Sequence, residues 1–490
     1  MSMAKKSTKQ IVSLVLVFFL IAVFGTVYIV GEVRLAGEAE AAEAAMRAAI
    51  VEAELSAEQL QIISRGEIDL ERVSFTADTH SFSIDLVRED EGVAATLIYA
   101  GSPDVILNQH HTRSMLRDVY LLRATNKVLY NVDNPADFGI GRVVATAYFN
   151  DGSREVVRLG TMTPDRTNFY AMVDGNPGLF LISSTSGNRL LQNVTDLVDR
   201  TLPDVNSNRL IDVSVRARDW PAIEFGWLGE DEGINLLFTS HQLSMTAPFM
   251  GMEMIPVNFD MLILEPFAGF RLRETVELFV EEAERDFGFG EPLLEVKMED
   301  AEGGSVHLIF GDDHGNGMLY TMLGGQPHVF LAERRFIEGL LHLNPFHLIN
   351  RFVALVDIDG LERITIQSAA RGDYEIYINH FRDDLHWMQI APVINGIEVD
   401  DDNFRGFYQA LISIAYDLAT EPQEEPGDPD IVITYHFIRR DFDPVVVEFF
   451  LFDANFYAVR QQEQPLQFIT NNFDVNRIFE LLEELIQEGV

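Results

Sequence analysis

The chain has 490 residues, of which 47% are hydrophobic and 10% aromatic, so it can bury several cores and is not composed like a disordered protein. Its formal net charge of −41 opposes binding to nucleic acid or to a bare anionic lipid surface, and leaves cations, basic protein surfaces and neutral polymers as partners. The absence of cysteine excludes disulfides, thiolate catalysis, thiolate metal sites and a lipid anchor attached to cysteine.

An uncharged apolar segment at residues 11–30 is the first predicted element, and it follows a tail, 1–10, with three lysines and no acidic residue. Twenty helical residues extend about 30 Å, the thickness of the hydrocarbon core of a bilayer. Because lysines favour the cytoplasmic side, we predict a cytoplasmic tail, a transmembrane helix and a body outside the cytoplasm. The alternative is a cleaved signal peptide, for which the Ala-rich stretch 36–45 offers small residues.

Residues 31–65 are predicted to form a helical stalk, since they are rich in Ala and Glu and contain no proline. Ser56 and Gln59 match a capping box weakly, which indicates a second short helix within this stalk. The apolar residues do not follow a heptad repeat, so the expected stalk is monomeric, and the sequence specifies no oligomeric state for the body.

An internal repeat of about 145 residues organises the rest of the chain. The stretches 168–182 and 318–332 align with Tyr170 and Tyr320 at equivalent positions, 150 residues apart, and 455–469 is a looser third copy. Three prolines at equivalent places are 145 and 144 residues apart: Pro103, Pro248 and Pro392. Several landmarks in one order with near-constant spacing predict three copies of one structural unit.

The predicted units are 66–205, 206–356 and a divergent 357–490. Each begins with two strands, continues with the proline segment and an amphipathic helix, and ends in an antiparallel meander. In the third unit the apolar residues of the predicted helix, 402–419, recur at helical spacing: Phe404, Phe407, Leu411, Ile414 and Leu418. The predicted fold is therefore α+β, with three tandem repeat modules of antiparallel meander sheet plus one main helix each, after the transmembrane helix and the stalk.

The tripeptide Asp-Phe-Gly occurs twice, at 137–139 and at 286–288. In protein kinases this tripeptide holds magnesium, but it acts only with a lysine on the phosphates and a catalytic aspartate loop. The chain has five lysines, none of them in a Val-Ala-x-Lys strand, and no His-Arg-Asp-x-x-x-x-Asn stretch. We therefore interpret the tripeptide as a structural junction between the helix and the meander, present twice because the unit is duplicated.

Several short patterns recur in one order: Ile-Asp at the first strand, Trp387 before Pro392, Phe-Gly before the meander, and Tyr-x-x-x-x-Gly-x-Pro near its end. This order resembles the bacterial family catalogued as domain of unknown function 4340, most clearly over 137–182 and 286–331. The third unit departs from the pattern because it lacks Phe-Gly, and the tryptophan before the proline is found only in that unit, as Trp387, with Ile98 and Leu243 in its place in the other two. The resemblance implies membrane-anchored extracytoplasmic proteins, often encoded beside uncharacterised ABC-type transporter parts of the gliding-motility-auxiliary kind, and it brings no catalytic residue with it.

Twelve histidines are present, and one cluster offers nitrogen and oxygen ligands for a metal: His307, Asp312, Asp313 and His314. The alternative is a hairpin turn at 307–317, equivalent to 158–168 in the first unit, where Asp and Gly serve the turn itself. Residues 204–212 imitate the start of a calcium loop, but Arg209 stands where that loop needs glycine, so we interpret them as a linker. No cofactor is predicted.

The expected function is that of a non-enzymatic accessory or scaffold protein of a membrane transport assembly, of the ABC-type or gliding-motility-auxiliary kind, which acts by protein docking. Its partners would be the bilayer, through residues 11–30, and a membrane-protein or envelope component. The Met-rich stretch 245–261 suits an adaptable apolar contact surface, with core packing as the alternative. The alternative function is a cell-envelope hydrolase or polymer-binding protein, because acidic pairs are abundant.

Overall fold

The computed structural model describes residues 60–88, 94–130, 132–227, 243–279, 287–382, 388–423, 427–440, 442–462 and 464–489. The predicted cytoplasmic tail, the predicted transmembrane helix and nearly all of the predicted stalk lie outside these ranges. Within them, no helix is both long enough and apolar enough to cross a bilayer. The chain divides after Asp199 into two compact units.

The first unit holds one antiparallel sheet of eight strands. They are β1 (Leu70–Ala77), β2 (Ser81–Val87), β3 (Thr96–Tyr99), β4 (Asn126–Tyr130), β5 (Val143–Phe149), β6 (Arg154–Met162), β7 (Asn168–Val173) and β8 (Asn176–Ser183). The helices are α1 (Gln109–Tyr120), α2 (Ser184–Leu190) and α3 (Val194–Leu197). The strand order is β3-β2-β1-β5-β6-β7-β8-β4. Helix α1 buries Met115, Leu116 and Val119 and packs against β1, β5 and β6, which places the core between the helix and one face of the sheet.

The second unit holds two further antiparallel sheets of nine strands each. The first comprises β9 (Leu210–Ala217), β10 (Ile223–Trp227), β11 (Leu243–Ala247), β12 (Met252–Glu253), β13 (Glu274–Leu278), β14 (Leu294–Asp300), β15 (Ser305–Gly315), β16 (Met318–Leu323) and β17 (His328–Glu333). Its helical segment has an α-helical piece α4 (Pro256–Phe259), a π-helical piece (Asp260–Leu264) and a 3-10 piece (Glu265–Phe267).

The last sheet has the same number of strands and two regular helices. Its strands are β18 (Leu361–Ser368), β19 (Tyr374–Arg382), β20 (Met388–Ile394), β21 (Ile397–Glu398), β22 (Leu418–Ala419), β23 (Ile431–Phe437), β24 (Val445–Leu451), β25 (Phe456–Gln461) and β26 (Phe468–Asn471). The helices are α5 (Asp401–Ile412) and α6 (Asn472–Glu488), which pack against each other. Short 3-10 turns occur at Glu67–Asp69, Pro135–Phe138, Ser207–Arg209, Arg334–Phe336, Pro345–His347 and Ile358–Gly360.

All three sheets share one strand order, which is the main result of the fold. The second sheet runs β12-β11-β10-β9-β14-β15-β16-β17-β13, and the third runs β21-β20-β19-β18-β23-β24-β25-β26-β22. The first sheet has this order without the short outermost strand. In each sheet the chain forms its leading strands, three in the first sheet and four in the other two, then the helical segment, then a strand at the far edge, and finally a four-strand meander. The chain is thus α+β with three modules of meander sheet and helix, as predicted.

The register repeats with the topology. Each sheet has a register shift where its leading strand begins opposite the end of the first meander strand, and the pairs there are Leu70 with Phe149, Leu210 with Asp300, and Leu361 with Phe437. The three leucines are all buried. Equivalent positions in the three modules can therefore be assigned residue by residue from the strand pairing.

The sequence did not predict the far-edge strands β4, β13 and β22, which lie between the helical segment and the meander. Among the residues that the structure describes, each pairs only with the last meander strand of its sheet, and β22 is two residues long. The predicted helix 402–419 is correspondingly shorter, since α5 ends at Ile412 and Leu418 belongs to β22. Long-range pairing at the edge overrides the helical spacing of these last residues.

The Phe-Gly pairs form equivalent close-packed junctions before the first meander strands of the first two modules. The Phe138 ring lies 5.0 Å from that of Tyr170, and the Phe287 ring lies 4.8 Å from that of Tyr320. A β-carbon on Gly160 would lie 2.4 Å from the carbonyl oxygen of Phe138, and the same approach recurs between Gly311 and Phe287 at 2.0 Å. The pair thus joins the far-edge strand, rather than the helix, to the meander.

Candidate functional site

Two of the predicted metal ligands, His307 and Asp312, lie in strand β15 with separate partners. The Nε2 atom of His307 lies 2.6 Å from Oε1 of Glu295 on the neighbouring strand. Asp312 faces the junction glycine Gly288, and its Oδ1 lies 3.6 Å from a guanidinium nitrogen of Arg218. Both side chains therefore belong to cross-strand or junction contacts.

The other two predicted ligands, Asp313 and His314, follow in the same strand. Asp313 accepts a hydrogen bond from the amide of Gly315 at 2.6 Å, and its second oxygen lies 3.5 Å from Arg334. The ring of His314 meets that of Tyr320 edge-on at 5.2 Å. The turn alternative holds only for the end of 307–317, because β15 includes all four candidates and the hairpin turns at 316–317. Irregular pairing keeps the strand extended through these polar residues.

No group of three metal-ligating side chains occurs in the part of the chain that the structure describes. In the calcium-like stretch 204–212, Asn206 caps the short 3-10 turn Ser207–Arg209 with its own side chain. The linker interpretation holds only up to Arg209, because residues 210–212 already belong to β9.

Asp300 fixes this linker, and sequence reasoning did not identify it. Its side chain is 3% exposed and accepts hydrogen bonds from the amides of Asn206 at 2.7 Å, Glu302 at 2.7 Å and Gly304 at 2.9 Å. These amide donors, Asn206 first, hold the pKa of Asp300 below its usual range. The strand pairing gives the equivalent position to Phe149 in the first module, so a buried carboxylate here is particular to the second.

The helical segments occupy the same place in the three modules but differ in regularity. Helices α1 and α5 are each 12 residues long, and their buried side chains include the fourth, seventh, eighth and eleventh positions. The 256–267 segment has the same length, yet only Phe259 and Ile263, its fourth and eighth residues, are buried. The second module thus keeps half of the apolar stripe that fixes the other two helices.

Pro266 accounts for this irregularity. It stands at the eleventh position, where α1 has Val119 and α5 has Leu411. Proline has no amide hydrogen and its ring collides with the carbonyl four residues earlier, so the α-helical pattern cannot continue to this residue. The segment instead widens to a π-helix at Asp260–Leu264 and ends as a 3-10 turn.

Three other apolar side chains of the segment form what we call the apolar face: Val257, Met261 and Leu264. They are the second, sixth and ninth residues of the segment. Polar or small residues take these positions in the other modules, namely His110, Ser114 and Arg117 in α1 and Asp402, Gly406 and Gln409 in α5. Val257 is 72% exposed and Met261 is 53% exposed. Only the second module therefore presents apolar side chains here.

The apolar face borders a groove of about 880 Å³, which we call the second-module groove. Its other walls are the linker 202–208 and the face of the sheet, where the buried Val296, Met298 and Leu308 form the floor. Three exposed acidic residues line it, Asp204, Asp260 and Glu265, and no Lys, Arg or His is among its lining residues. The groove is thus apolar inside and acidic at its edge. The Met-rich stretch 245–261 was the one sequence signal that indicated part of this surface.

A family model described as domain of unknown function (DUF4340) matches residues 99–243 and again residues 264–418. The two matches together cover more than half of the chain. The chain belongs to the DUF4340 family. Its tandem matches confirm the resemblance inferred from the recurring motifs. No curated protein and no solved structure gives a significant match.

The DUF4340 matches are offset from the sheets. The first begins at Tyr99, the last residue of β3, and ends at Leu243, the first residue of β11. The second begins inside the second helical segment and ends in β22. The first match therefore joins the helix and meander of one sheet to the leading strands of the next. The second joins the meander of its sheet to the leading strands and the helix α5 of the third, so a single matched stretch cannot close one complete sheet.

Proposed function

We propose that this protein is a membrane-anchored, extracytoplasmic accessory or scaffold protein that acts by docking onto a neighbouring membrane protein. The single observation that carries the docking role is the apolar face, which stays exposed in one module where the two sister modules have polar or small residues. Exposed apolar side chains beside a groove mark a contact surface when structurally equivalent positions elsewhere in the same chain have polar or small residues.

The anchor in this proposal is the uncharged segment 11–30, with the lysine-bearing tail 1–10 on the cytoplasmic side. Tethering matters energetically, because confinement next to a partner raises the effective concentration to about the millimolar range and lets weak contacts suffice. The assembly that would be served is a transporter of the ABC type or a gliding-motility-auxiliary-like system, as the family resemblance implies. Localisation at the cell membrane follows from the same anchor.

Orientation is tested with a protease added to intact cells that express the full chain with an N-terminal tag. The tag should remain protected while the body is digested. Protection of the whole chain would reverse the orientation and refute an extracytoplasmic role.

Docking is tested in the same cells by photo-crosslinking from residues placed one at a time over the exposed surface of the body. A discrete adduct with a membrane protein is expected with the full chain and should be lost when residues 11–30 are removed. Equal crosslinking without the segment, or crosslinks to envelope polymer alone, would favour the alternative of a polymer-binding or hydrolytic protein.

The four candidate metal ligands allow an independent test of whether the protein is a metal-dependent enzyme. Changing His307, Asp312, Asp313 and His314 together to Ala should leave the crosslinking pattern unchanged, because their contacts are local ones with Glu295, Arg218, Gly288, Arg334 and Tyr320 and include no residue that lines the groove. Loss of metal from the purified full chain upon this change, measured by elemental analysis, would contradict the docking proposal and indicate a metal-dependent protein.

A further inference from the structure

The second-module groove combines three features that together define what can occupy it: an apolar floor, exposed apolar walls and an acidic edge. We propose that it receives the apolar side chains of a basic amphipathic helix supplied by a partner protein. This inference rests on docking as the proposed function and adds the position of the contact and the chemistry of the partner.

The apolar part of the occupant follows from the floor and the walls. Val257, Met261 and Leu264 lie along one side, and the floor is formed by valine, methionine and leucine side chains of the sheet. An amphipathic helix binds such a groove with apolar residues spaced by three and four positions. Methionine at the wall adds an adaptable side chain that fits anchors of different shape.

The exposure of the walls favours a protein segment over a small molecule. Small-molecule sites enclose about 70–90% of the surface of their ligand. Here the wall residues Val257 and Met261 are themselves 72% and 53% exposed, so a small ligand on the floor would leave them in water. A helix lying along the groove would cover the floor and the walls together.

The basic character of the occupant follows from the edge. Asp204, Asp260 and Glu265 all face solvent, and the lining contains no cationic side chain. An acidic edge favours Lys and Arg that flank the apolar anchors and repels an acidic segment, because complementary charges set the choice of partner. The net charge of −41 acts in the same direction at longer range.

The experiment uses the full chain in lipid nanodiscs and a synthetic helical peptide of Leu and Lys, about four turns long, with a photoactivatable leucine at its centre. Affinity is measured from the fluorescence anisotropy of the labelled peptide, and adducts are mapped by mass spectrometry. Adducts are expected on 257–268 and 296–308. A matched peptide with Glu in place of every Lys should give none.

Two exposed wall residues test the apolar contact. The double change Val257→Gln and Met261→Gln should weaken binding about tenfold, which corresponds to about 1.4 kcal/mol. The matched control, Ile68→Gln with Met250→Gln, alters two exposed apolar residues outside the groove lining and should leave affinity unchanged. All four side chains are more than half exposed, so both variants should fold.

The acidic edge is tested with two triple variants that have the same net charge as each other. Asp204→Asn, Asp260→Asn and Glu265→Gln together should weaken peptide binding about fivefold, within the range of exposed ion pairs. Glu362→Gln, Asp402→Asn and Glu421→Gln remove the same charge in the third module and should have no effect. Equal weakening by both triple variants would mean that the peptide responds to overall charge, and would overturn the proposal.

Three other results would also overturn it: adducts that concentrate outside the groove, insensitivity to the wall variant, or labelling of the groove by a photoactivatable alkylammonium when the peptide does not bind. The last result would identify a small cationic amphiphile as the occupant. Failure here is distinguishable from failure of the proposed function, because anchor-dependent crosslinks from other surfaces in cells would persist if docking were real but located elsewhere.

Discussion

The second and third modules have the same strand order, yet their helical segments differ in almost every feature that makes a helix regular. Helix α5 is capped by Asp400, whose side chain accepts a hydrogen bond from the amide of Asn403 at 3.0 Å, while Ile255 precedes the second segment and caps nothing. Helix α5 is also packed against α6, and its eleventh residue is Leu411 where the second segment has Pro266.

We conclude from this difference that the strand order and register of the sheet define the module, whatever the form of its helical segment. The nine-strand order and the register shift at the leading strand survive in both sheets. The helical segment has only to cover part of one face, so its sequence is free to lose a cap, gain a proline and expose apolar side chains. A surface suited to binding arises in the second module, because its helical segment covers the face of the sheet least completely.

The largest effect expected from this comparison comes from the seventh position of the segment. Phe407 in α5 is fully buried, so Phe407→Ala should lower the free energy of unfolding of the third module by about 3–5 kcal/mol. The equivalent Leu262 is only half-buried, and Leu262→Ala should cost the second module about 1 kcal/mol. Both losses in the free energy of unfolding are measured by urea unfolding, which is followed by hydrogen exchange of peptides from each sheet. Equal losses would show that the two segments pack equally well.

The next effect concerns the Phe-Gly junction, which the third module has lost. Gly311 approaches the carbonyl of Phe287, and the strand pairing gives its place in the third sheet to the buried Phe450. Gly311→Ala should therefore destabilise the second module by about 1–3 kcal/mol through overpacking. Gly339→Ala, which meets nothing within 4 Å, is the control and should be nearly neutral. If Gly311→Ala left the free energy of unfolding unchanged, the close approach of Gly311 to the carbonyl of Phe287 would be contradicted.

A smaller effect, in the opposite direction, is expected from restoring the helix. Pro266→Leu introduces the residue type found at this position in α5 and returns an amide donor to the segment. Hydrogen exchange of the 262–265 amides should slow about tenfold, equivalent to about 1.4 kcal/mol of local stability. Binding of the Leu–Lys peptide should fall in the same variant, because a regular helix would turn the apolar face away from the groove. Unchanged exchange would mean that proline does not cause the irregularity.

The smallest effect is a pH dependence at Asp300, which has no counterpart in the other two sheets. Its pKa is lowered in the folded state, so its ionised form stabilises the second module above the unfolded value of about 3.9, and this contribution is lost as pH falls through the folded pKa. Asp300→Asn should therefore be less stable than the parent chain at pH 7, and the gap should close below about pH 4. If the difference in the free energy of unfolding between the parent chain and Asp300→Asn stayed constant with pH, the charge of Asp300 would have no role in stability.

Much of the architecture could be predicted from the sequence because it depends on local pattern. Alternating apolar residues gave the strands, and recurring pairs such as Tyr170 and Tyr320 gave the repeat, which the structure places in equivalent strands β7 and β16. The far-edge strands could not be predicted, since two to five residues carry too little pattern and their pairing partners lie far along the chain.

The candidate site was foreseen only in part. The Met-rich stretch 245–261 indicated an apolar contact surface, but three of its five methionines, Met245, Met252 and Met254, are buried core residues. Which methionines face the groove depends on how Pro266 distorts the segment and on where the linker lies.

By itself, the sequence determined the class of the fold, its threefold repetition and its family, because turn residues, periodic apolar positions and spaced motifs are properties of the chain in order. Only the tertiary structure decided which side chains share a surface. Asp300 in one strand fixes the linker 202–208, and that linker forms the wall opposite Val257 and Met261. A site built from segments up to about a hundred residues apart depends on packing, and packing is not encoded in any local stretch of sequence.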